Sequence, residues 1–350
     1  MTLTLTQLKA LPLARYEFRL RARADALLPP FLGSTLRGSL GHALKTIACT
    51  MRHQDCSRCL LAEACVYTNV FEPSVLNLDS DAQGRKDPPR PFLLQPPLPL
   101  GPDATSTIEE SQRAWRAQHI PVSNGTSLSF GVTLIGSAAI ARLPYLICAV
   151  ELMARHGLGH ALAPFALEEV LVVNERNERA SIYSPRNAEP QTTRVTPPRA
   201  ALTTLYDLVA RRLAQITTSG ALTLLFITPT WIEINKETLG SVTCEQLFKR
   251  LSWRAARLFE LYGDTPLVFD HRELIAKAAT VETASEDVWM HRFVRYSNRR
   301  QGETPMRGFL GAIAYRGKAL KELLPLIVAG EFLQLGKETA FGLGRYLCAA

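Results

Sequence analysis

The sequence predicts an α+β protein built from two successive units, each with the element order β-α-β-β-α-β. Alternating polar and apolar residues indicate strands, and apolar residues at helical spacing indicate helices, in the same order over residues 15–173 and 222–348. A polar, proline-containing stretch over residues 174–200 separates the two series. With 350 residues, the chain is long enough for two domains, each with its own core.

The first series begins with a strand over residues 15–24, where arginines alternate with apolar residues. Two prolines then interrupt the chain, and Ser34 or Thr35 is placed to cap a helix that runs to about Ala48. The remaining elements are strands over 92–94, 126–135 and 165–173 and a helix over 145–156.

A helix over residues 201–216 precedes the second series. That series comprises strands over 222–234, 288–296 and 309–315, helices over 244–262 and 319–328, and strand material around 332–335 and 346–348. The shared order predicts two tandem ferredoxin-like (RRM-like) domains. We expect them at 1–180 and 221–350, joined by a linker or bridging helix over 181–220.

The charge of the chain is concentrated near its two ends. The formal net charge is +8, and residues 1–60 and 287–350 contribute +6 and +5, which leaves −3 for the rest. A composition of 47% hydrophobic and 21% charged residues excludes a largely disordered chain. The basic segments indicate a polyanionic partner, and the alternative is two solvated charged surfaces.

The sequence favours a cytoplasmic protein without a membrane segment. The longest apolar stretch, around 143–153, is interrupted by Pro144 and Glu151 and is shorter than the roughly 20 residues that a span needs. The first 20 residues lack the pattern of an export signal. Disulfides are rare in such a compartment, so the seven cysteines do not predict a disulfide framework.

Four cysteines, Cys49, Cys56, Cys59 and Cys65, lie in an insertion over about 48–75, which a proline-rich loop over about 76–105 follows. Their spacing, C-x6-C-x2-C-x5-C, predicts a structural zinc site, since a C-x2-C pair lets two thiolates reach one ion. An iron–sulfur cluster is the second interpretation, and four unligated thiols are the third. Four thiolates leave no open coordination position, so the metal would be structural and not catalytic.

A glycine-rich segment closes the chain. Gly336, Gly342 and Gly344 form a G-x5-G-x-G array whose other notable members are Lys337, Phe341 and Arg345. Glycine permits positive φ and close approach of another backbone, and a loop with bare N–H groups and cations suits phosphates. The alternative is an ordinary turn.

The first helix carries candidate catalytic groups on the face opposite its apolar stripe. Arg37, Gly38, Gly41, His42 and Lys45 share that face. Two helical glycines cost roughly 1 kcal/mol each relative to alanine, which favours a close approach by a ligand or another backbone. Histidine can act as a general acid or base and lysine can stabilise developing charge, although a lone histidine is often a surface residue.

Together these segments resemble the CRISPR precursor-RNA-processing endoribonucleases of the RAMP superfamily, the Cas-six type. The resemblance covers roughly residues 15–75 and 288–348. The segments that carry it are the helix 36–44, the run Cys65-Val66-Tyr67, the run Phe71-Glu72-Pro73, residues 295–299 and 307–311, and the glycine-rich segment.

The resemblance implies binding of CRISPR repeat RNA and metal-independent cleavage by 2′-hydroxyl attack, leaving a 2′,3′-cyclic phosphate. It implies catalytic roles for His42, for Lys45 as charge stabiliser and for Tyr67 as helper. Guide RNA and other effector-complex subunits are the expected partners. The expected RNA-binding residues are Arg37, Arg299, Arg300, Arg307, Gly336, Lys337, Phe341, Gly342, Gly344 and Arg345.

Two other functions fit the same sequence. The first is a noncatalytic RNA-binding RAMP subunit of an effector complex, which differs from the nuclease only through His42 and Lys45. The second is a zinc-stabilised protein-interaction module, in which the basic charge and the glycines are incidental.

Overall fold

The structure, a computed structural model, describes residues 3–51, 55–76, 88–99, 108–185, 203–216, 220–297 and 302–349. The chain divides into two compact units. The N-terminal unit contains Leu11–Thr203 and Leu261–Gly263, and the C-terminal unit contains Met1–Ala10, Thr204–Glu260 and Asp264–Ala350. The chain passes between the units at residues 203–204, inside the segment 181–220, and the predicted domain limits remain predictions.

The N-terminal unit has an antiparallel sheet with two helices packed together on it. Its strands are β1 (Pro12–Ala22), β2 (Ala26–Leu28), β3 (Phe92–Gln95), β4 (Ile120–Val122), β5 (Ser127–Ile135), β6 (Phe165–Val173) and β7 (Arg179–Tyr183). Its helices are α1 (Gly33–Ala48), α2 (Val66–Val70), α3 (Ile108–Arg116), α4 (Ser137–Ile140) and α5 (Leu143–His156). The strand order β3-β5-β1-β6-β7 contains the ferredoxin-like arrangement, with β7 added at one edge.

Alternation along β1 explains its two faces. Tyr16, Phe18 and Leu20 are buried, and the ring of Phe18 stacks on Phe130 with centroids 5.3 Å apart. Helices α1 and α5 pack against each other, and α5 lies along β6. The inward residues of β1 therefore form part of the core, as their alternation predicts.

The outward face of β1 carries paired charges. Arg19 forms ion pairs with Glu17 at 2.9 Å and Glu169 at 3.0 Å. Glu17 also accepts a hydrogen bond from Arg179 at 2.6 Å. Because carboxylates neutralise these arginines, this face of the sheet is not a simple basic surface.

Helix α1 begins earlier than its sequence signals indicate. It starts at Gly33, its N-cap residue is Leu32, and no side chain caps it. The expectation that Ser34 or Thr35 caps the helix is therefore wrong, because both residues already lie in the first turn.

The C-terminal unit has a second antiparallel sheet with the strand order β12-β13-β9-β14, again the ferredoxin-like arrangement. Its strands, together with one at the junction of the units, are β8 (Thr203–Thr204), β9 (Ala221–Thr230), β10 (Glu233–Ile234), β11 (Glu237–Thr238), β12 (Glu282–Ser297), β13 (Gly302–Arg316) and β14 (Tyr346–Ala349). Its helices are α6 (Leu205–Leu213), α7 (Cys244–Tyr262), α8 (His271–Ala279) and α9 (Leu320–Leu333). Both units thus confirm the predicted tandem ferredoxin-like fold class.

One predicted strand is wrong. Residues 332–335 do not form a strand, because α9 continues to Leu333 and the chain then turns at Gln334, where φ is +58°. Leu333 is fully buried and continues the apolar stripe of α9, so helical periodicity prevails over the short apolar run. Leu335 then donates a backbone hydrogen bond to Gly344 at 2.9 Å.

Within the described ranges, no helix combines the length and the apolar character that crossing a membrane requires.

Candidate active site and nucleic-acid interface

Helix α1 presents an exposed imidazole beside open backbone. The side chain of His42 is exposed, and Gly38, one turn earlier on the same face, is also exposed. Apart from its chain neighbours and the backbone of its own helix, no atom of the described residues lies within 4 Å of the position that a Cβ at residue 38 would take. A ligand can therefore approach this stretch of helix closely, next to a group able to transfer protons.

Lys45 lies one turn after His42 and is held by two neighbours. Its ammonium lies 5.6 Å from the centroid of the Tyr67 ring. It is also hydrogen-bonded to the thiol of Cys56; burial raises the pKa of that thiol, and Lys45 opposes the shift. The structure thus brings together Lys45 and Tyr67, which the sequence analysis placed in one site.

The second glycine of α1, Gly41, serves the packing of the protein itself. A Cβ there would lie 3.0 Å from two ring atoms of Phe71, which is 1% exposed. Phe71 stacks on Phe92, with centroids 4.6 Å apart, and the guanidinium of Arg37 lies 5.6 Å above its ring. The ring of Phe71 fills the space that the sequence left open to a ligand, and it holds α2 against α1.

The four clustered cysteines are the residues predicted to hold a structural zinc ion. All four are half-buried free thiols. Cys56 lies close enough to Cys49 and Cys65 for their charges to interact. In the part of the chain that the structure describes, however, no three Cys, His, Asp or Glu side chains are grouped to hold an ion. The predicted zinc site stays a prediction.

In the C-terminal unit, the glycine-rich loop is tied to the end of β9. Gly336, Gly342 and Gly344 have φ of +88°, +86° and +76°, a region that favours glycine. The amide of Gly344 donates to the Pro229 carbonyl at 3.0 Å, and that of Lys337 donates to the Trp231 carbonyl at 2.8 Å. These amides serve the fold of the loop and are not the bare donors that the sequence suggested.

Of two predicted RNA-binding residues of this loop, Phe341 is buried and Arg345 is half-buried. Phe341 is 5% exposed, and the guanidinium of Arg295 lies 4.7 Å from the centroid of its ring. Burial lowers the pKa of Arg345 to about 10. The backbone of Arg345 pairs with β9, where its amide donates to the Thr228 hydroxyl at 2.9 Å. Both side chains pack within the unit.

Lys337 and Arg307, by contrast, reach the surface and share two neighbours. The ammonium of Lys337 and the guanidinium of Arg307 each lie 5.4 Å from the centroid of the Trp231 ring. Both also face the carboxylate of Glu233. The predicted residues Arg299 and Arg300 lie outside the described residues.

Sequence reasoning missed Trp231, Glu233 and Arg292. Arg292 is exposed and lies directly opposite Arg307 in the β12–β13 register. The available signal was the run Trp231-Ile232-Glu233 at the end of the predicted strand 222–234, where an aromatic residue precedes an acidic one at the sheet edge.

Comparisons with known proteins cover most of the chain. Residues 224–346 match the family model of the CRISPR-associated endoribonuclease Cas6. Residues 11–197 match the AF_1859_N family model, described as an N-terminal domain, so that part of the chain belongs to this domain family. A stretch of 71 residues is 32% identical to an uncharacterised protein of Archaeoglobus fulgidus and spans 20% of this chain. The match spans only 23% of the length of that curated relative.

Solved Cas6 structures share the fold of the whole chain. A Cas6 product complex aligns with a TM-score of 0.53 and 16% identity, covering 97% of this chain and 100% of that one. Thermus thermophilus Cas6 aligns with a TM-score of 0.51 and 14% identity, covering 97% and 99%. A partial Cas6-RT-Cas1–Cas2 complex gives 0.55 and 11%, covering 97% and 46%.

The Cas6 family match lies on the unit that carries the glycine-rich loop, and the solved Cas6 structures share the tandem ferredoxin-like fold. Residues 224–346 therefore form a domain of the CRISPR-associated endoribonuclease Cas6 family.

Proposed function

We propose that this chain binds CRISPR repeat RNA and cleaves the precursor transcript into guide RNAs by attack of a 2′-hydroxyl, without a metal ion in the reaction. The observation that supports this most is the α1 face, where the exposed imidazole of His42 lies between open Gly38 and Lys45. The Cas6 family match indicates the substrate class, and the α1 face carries groups suited to the reaction.

The proposed reaction divides the work between two side chains. His42 takes the proton of the 2′-hydroxyl or gives one to the departing 5′-oxygen, since an imidazole can act as a general base or a general acid. The 2′-oxygen bonds to phosphorus as the P–O5′ bond breaks, which leaves a 2′,3′-cyclic phosphate and a 5′-hydroxyl. Lys45 stabilises the charge that develops on the phosphorane oxygens.

Tyr67 acts as the helper by positioning Lys45. The ammonium of Lys45 lies above the Tyr67 ring and bonds to Cys56, so its position is set by two neighbours before RNA binds. A preorganised cation costs less reorganisation during the reaction than a freely rotating one. We assign Arg37 to the RNA contact from its place on the same helix.

The RNA-binding part of the proposal also rests on the C-terminal unit. Its exposed cations Lys337 and Arg307 lie at the loop that resembles the RNA-holding loop of the family. Arg299 and Arg300 are proposed to add phosphate contacts. Guide RNA and other CRISPR proteins are proposed as further partners, by analogy with the Cas6-RT-Cas1–Cas2 complex of the same fold. The reaction is proposed to occur in the cytoplasm.

The direct test is incubation of the purified chain with its cognate repeat RNA in EDTA, followed by analysis of the product ends. We expect cleavage at one position, with a cyclic phosphate that acid converts to 2′- and 3′-phosphates. A repeat with a 2′-deoxy sugar at the scissile nucleotide is the matched control and should stay intact while still binding. Cleavage of this control would contradict the proposed 2′-hydroxyl attack. Binding without cleavage of the natural repeat would favour a noncatalytic RNA-binding subunit.

A further inference from the structure

Neither the fold of the C-terminal unit nor the proposed catalytic step explains the side chains that surround Trp231. The residue follows β9 directly, is half-buried, and lies in the C-terminal unit. Two cations, Arg307 and Lys337, lie 5.4 Å from its ring centroid. A half-buried tryptophan with cations close to its ring is a suitable platform for a nucleobase, because bases stack on indole rings and their phosphates bind cations.

The orientation of this indole is fixed from several sides. Its Nε1 donates to the Glu233 carboxylate at 2.8 Å. The backbone carbonyl of Trp231 accepts a hydrogen bond from the Lys337 amide at 2.8 Å, and a Cβ at Gly336 would overlap the oxygen of that carbonyl. Gly336 therefore allows the loop to pack on the Trp231 backbone. A ring held in this way loses little conformational freedom when a ligand stacks on it.

Glu233 binds the indole of Trp231 and the ammonium of Lys337 but forms no hydrogen bond with Arg307. The carboxylate is 18% exposed and pairs with the ammonium of Lys337. The guanidinium of Arg307 is 45% exposed and lies 3.9 Å from the carboxylate, which is beyond hydrogen-bond distance. The donors of Arg307 can therefore reach an incoming anion while its charge stays near the ring.

A second arginine lies beside Arg307. Arg292 on β12 is directly opposite Arg307 on β13, and both side chains are exposed. Among the described residues, no carboxylate forms an ion pair with Arg292. Like charges directly opposite each other in a sheet are destabilising, and a bound phosphate would relieve that repulsion.

We propose that Trp231 stacks on the base of an unpaired RNA nucleotide while Arg292 and Arg307 hold its phosphate. The inference deepens the proposed function and rests on it for RNA as the ligand. The base must be unpaired, because bases inside an A-form helix already stack on both sides. Since every base has a π-face, the site tolerates different bases and binds single-stranded RNA beside a stem.

The test measures binding of the full-length chain to repeat RNA and to an unpaired oligonucleotide over a range of salt concentrations. Trp231→Leu should weaken binding of unpaired RNA about 5- to 150-fold and leave the salt dependence unchanged, because no charge is lost. Trp231→Phe should retain most of the affinity. Arg307→Gln should weaken binding and reduce the salt slope by about one. Trp289→Leu, on the other face of the β12–β13 hairpin, is the matched control and should bind as the parent does.

A measurement on the parent chain remains valid if a Trp231 variant does not fold. RNA with 2-aminopurine at single unpaired positions should be quenched at one of them, because stacking on indole quenches this base. Absence of quenching at every position, or parent-like affinity of a folded Trp231→Leu variant, would overturn the inference. Either result with an RNA-cleaving parent leaves the proposed nuclease function standing. A parent that binds no RNA overturns both.

Discussion

Replacement of Gly344 by alanine tests whether the glycine-rich loop is a structural element or a ligand cradle. At this position φ is +76°, and a non-glycine residue in that region costs about 1–2 kcal/mol. The new Cβ would overlap the carbonyl oxygen of Leu335. It would also lie 2.8 Å from the carbonyl carbon of Leu335 and 3.0 Å from the backbone nitrogen of the same residue. Because these atoms belong to the backbone, relief requires the chain itself to move.

The movement would disturb two backbone hydrogen bonds. Leu335 donates to Gly344 at 2.9 Å, and Gly344 donates to Pro229 at 3.0 Å. With about 1 kcal/mol for each bond, the loss of unfolding free energy sums to about 3–4 kcal/mol. For a cooperative unit of 150–250 residues, this lowers the melting temperature by about 6–16 °C.

Thermal unfolding of Gly344→Ala without RNA, followed by circular dichroism, measures this effect directly. Gly38→Ala is the control, because glycine 38 is helical and has open space around its missing Cβ. The reasoning is refuted if Gly344→Ala unfolds at the parent temperature but binds RNA more weakly. That result would mean that the glycine leaves room for RNA and not for the loop.

Three further predictions concern the N-terminal unit. Gly38→Ala should stabilise helix α1 by about 0.5–1 kcal/mol in chemical denaturation yet slow RNA cleavage; unchanged cleavage would show that RNA does not approach α1 there. Burial alone would raise the pKa of Glu17, but its two arginine partners outweigh it and hold the pKa below the usual value. Its contribution to stability is therefore present above the ordinary glutamate pKa, about 4.3, and is lost as pH falls through the lower folded value. As pH falls from about 5 to about 1, the Glu17→Gln variant should lose less stability than the parent does, and a variant whose stability falls as steeply as that of the parent would contradict this. The zinc interpretation predicts about one bound metal per chain, lost in the Cys56→Ser, Cys59→Ser double variant, and elemental analysis showing equal metal in both proteins would refute it.

The fold was predictable from the sequence because its periodic signals agree with the tertiary contacts. Arginine and apolar residues alternate along β1, and the helical stripe of α1 is buried as a face. The strand β7 was not predicted, since it lies in a polar segment and owes its conformation to pairing with β6. Helix α8 was also not predicted; Asp270 caps it by accepting hydrogen bonds from two amides.

The candidate site was predictable only in part. His42 and Lys45 follow from helical spacing, and Tyr67 follows from the family resemblance. Trp231 and Arg292 could not be inferred, because their roles depend on the register that places Arg292 opposite Arg307 and on the loop that packs beside the ring. The role of Gly41 also needed the structure, since its partner Phe71 lies 30 residues later in the chain.

Proton transfer by the α1 face during RNA cleavage can be tested through the single-turnover rate of a His42→Ala variant. With saturating enzyme, EDTA and the cognate repeat, loss of a general acid or base should slow cleavage about 10²- to 10⁴-fold while binding stays within a few fold. His119→Ala, which removes another exposed imidazole of the same unit, should cleave at the parent rate. A His42→Ala variant that cleaves as fast as the parent would contradict proton transfer by His42.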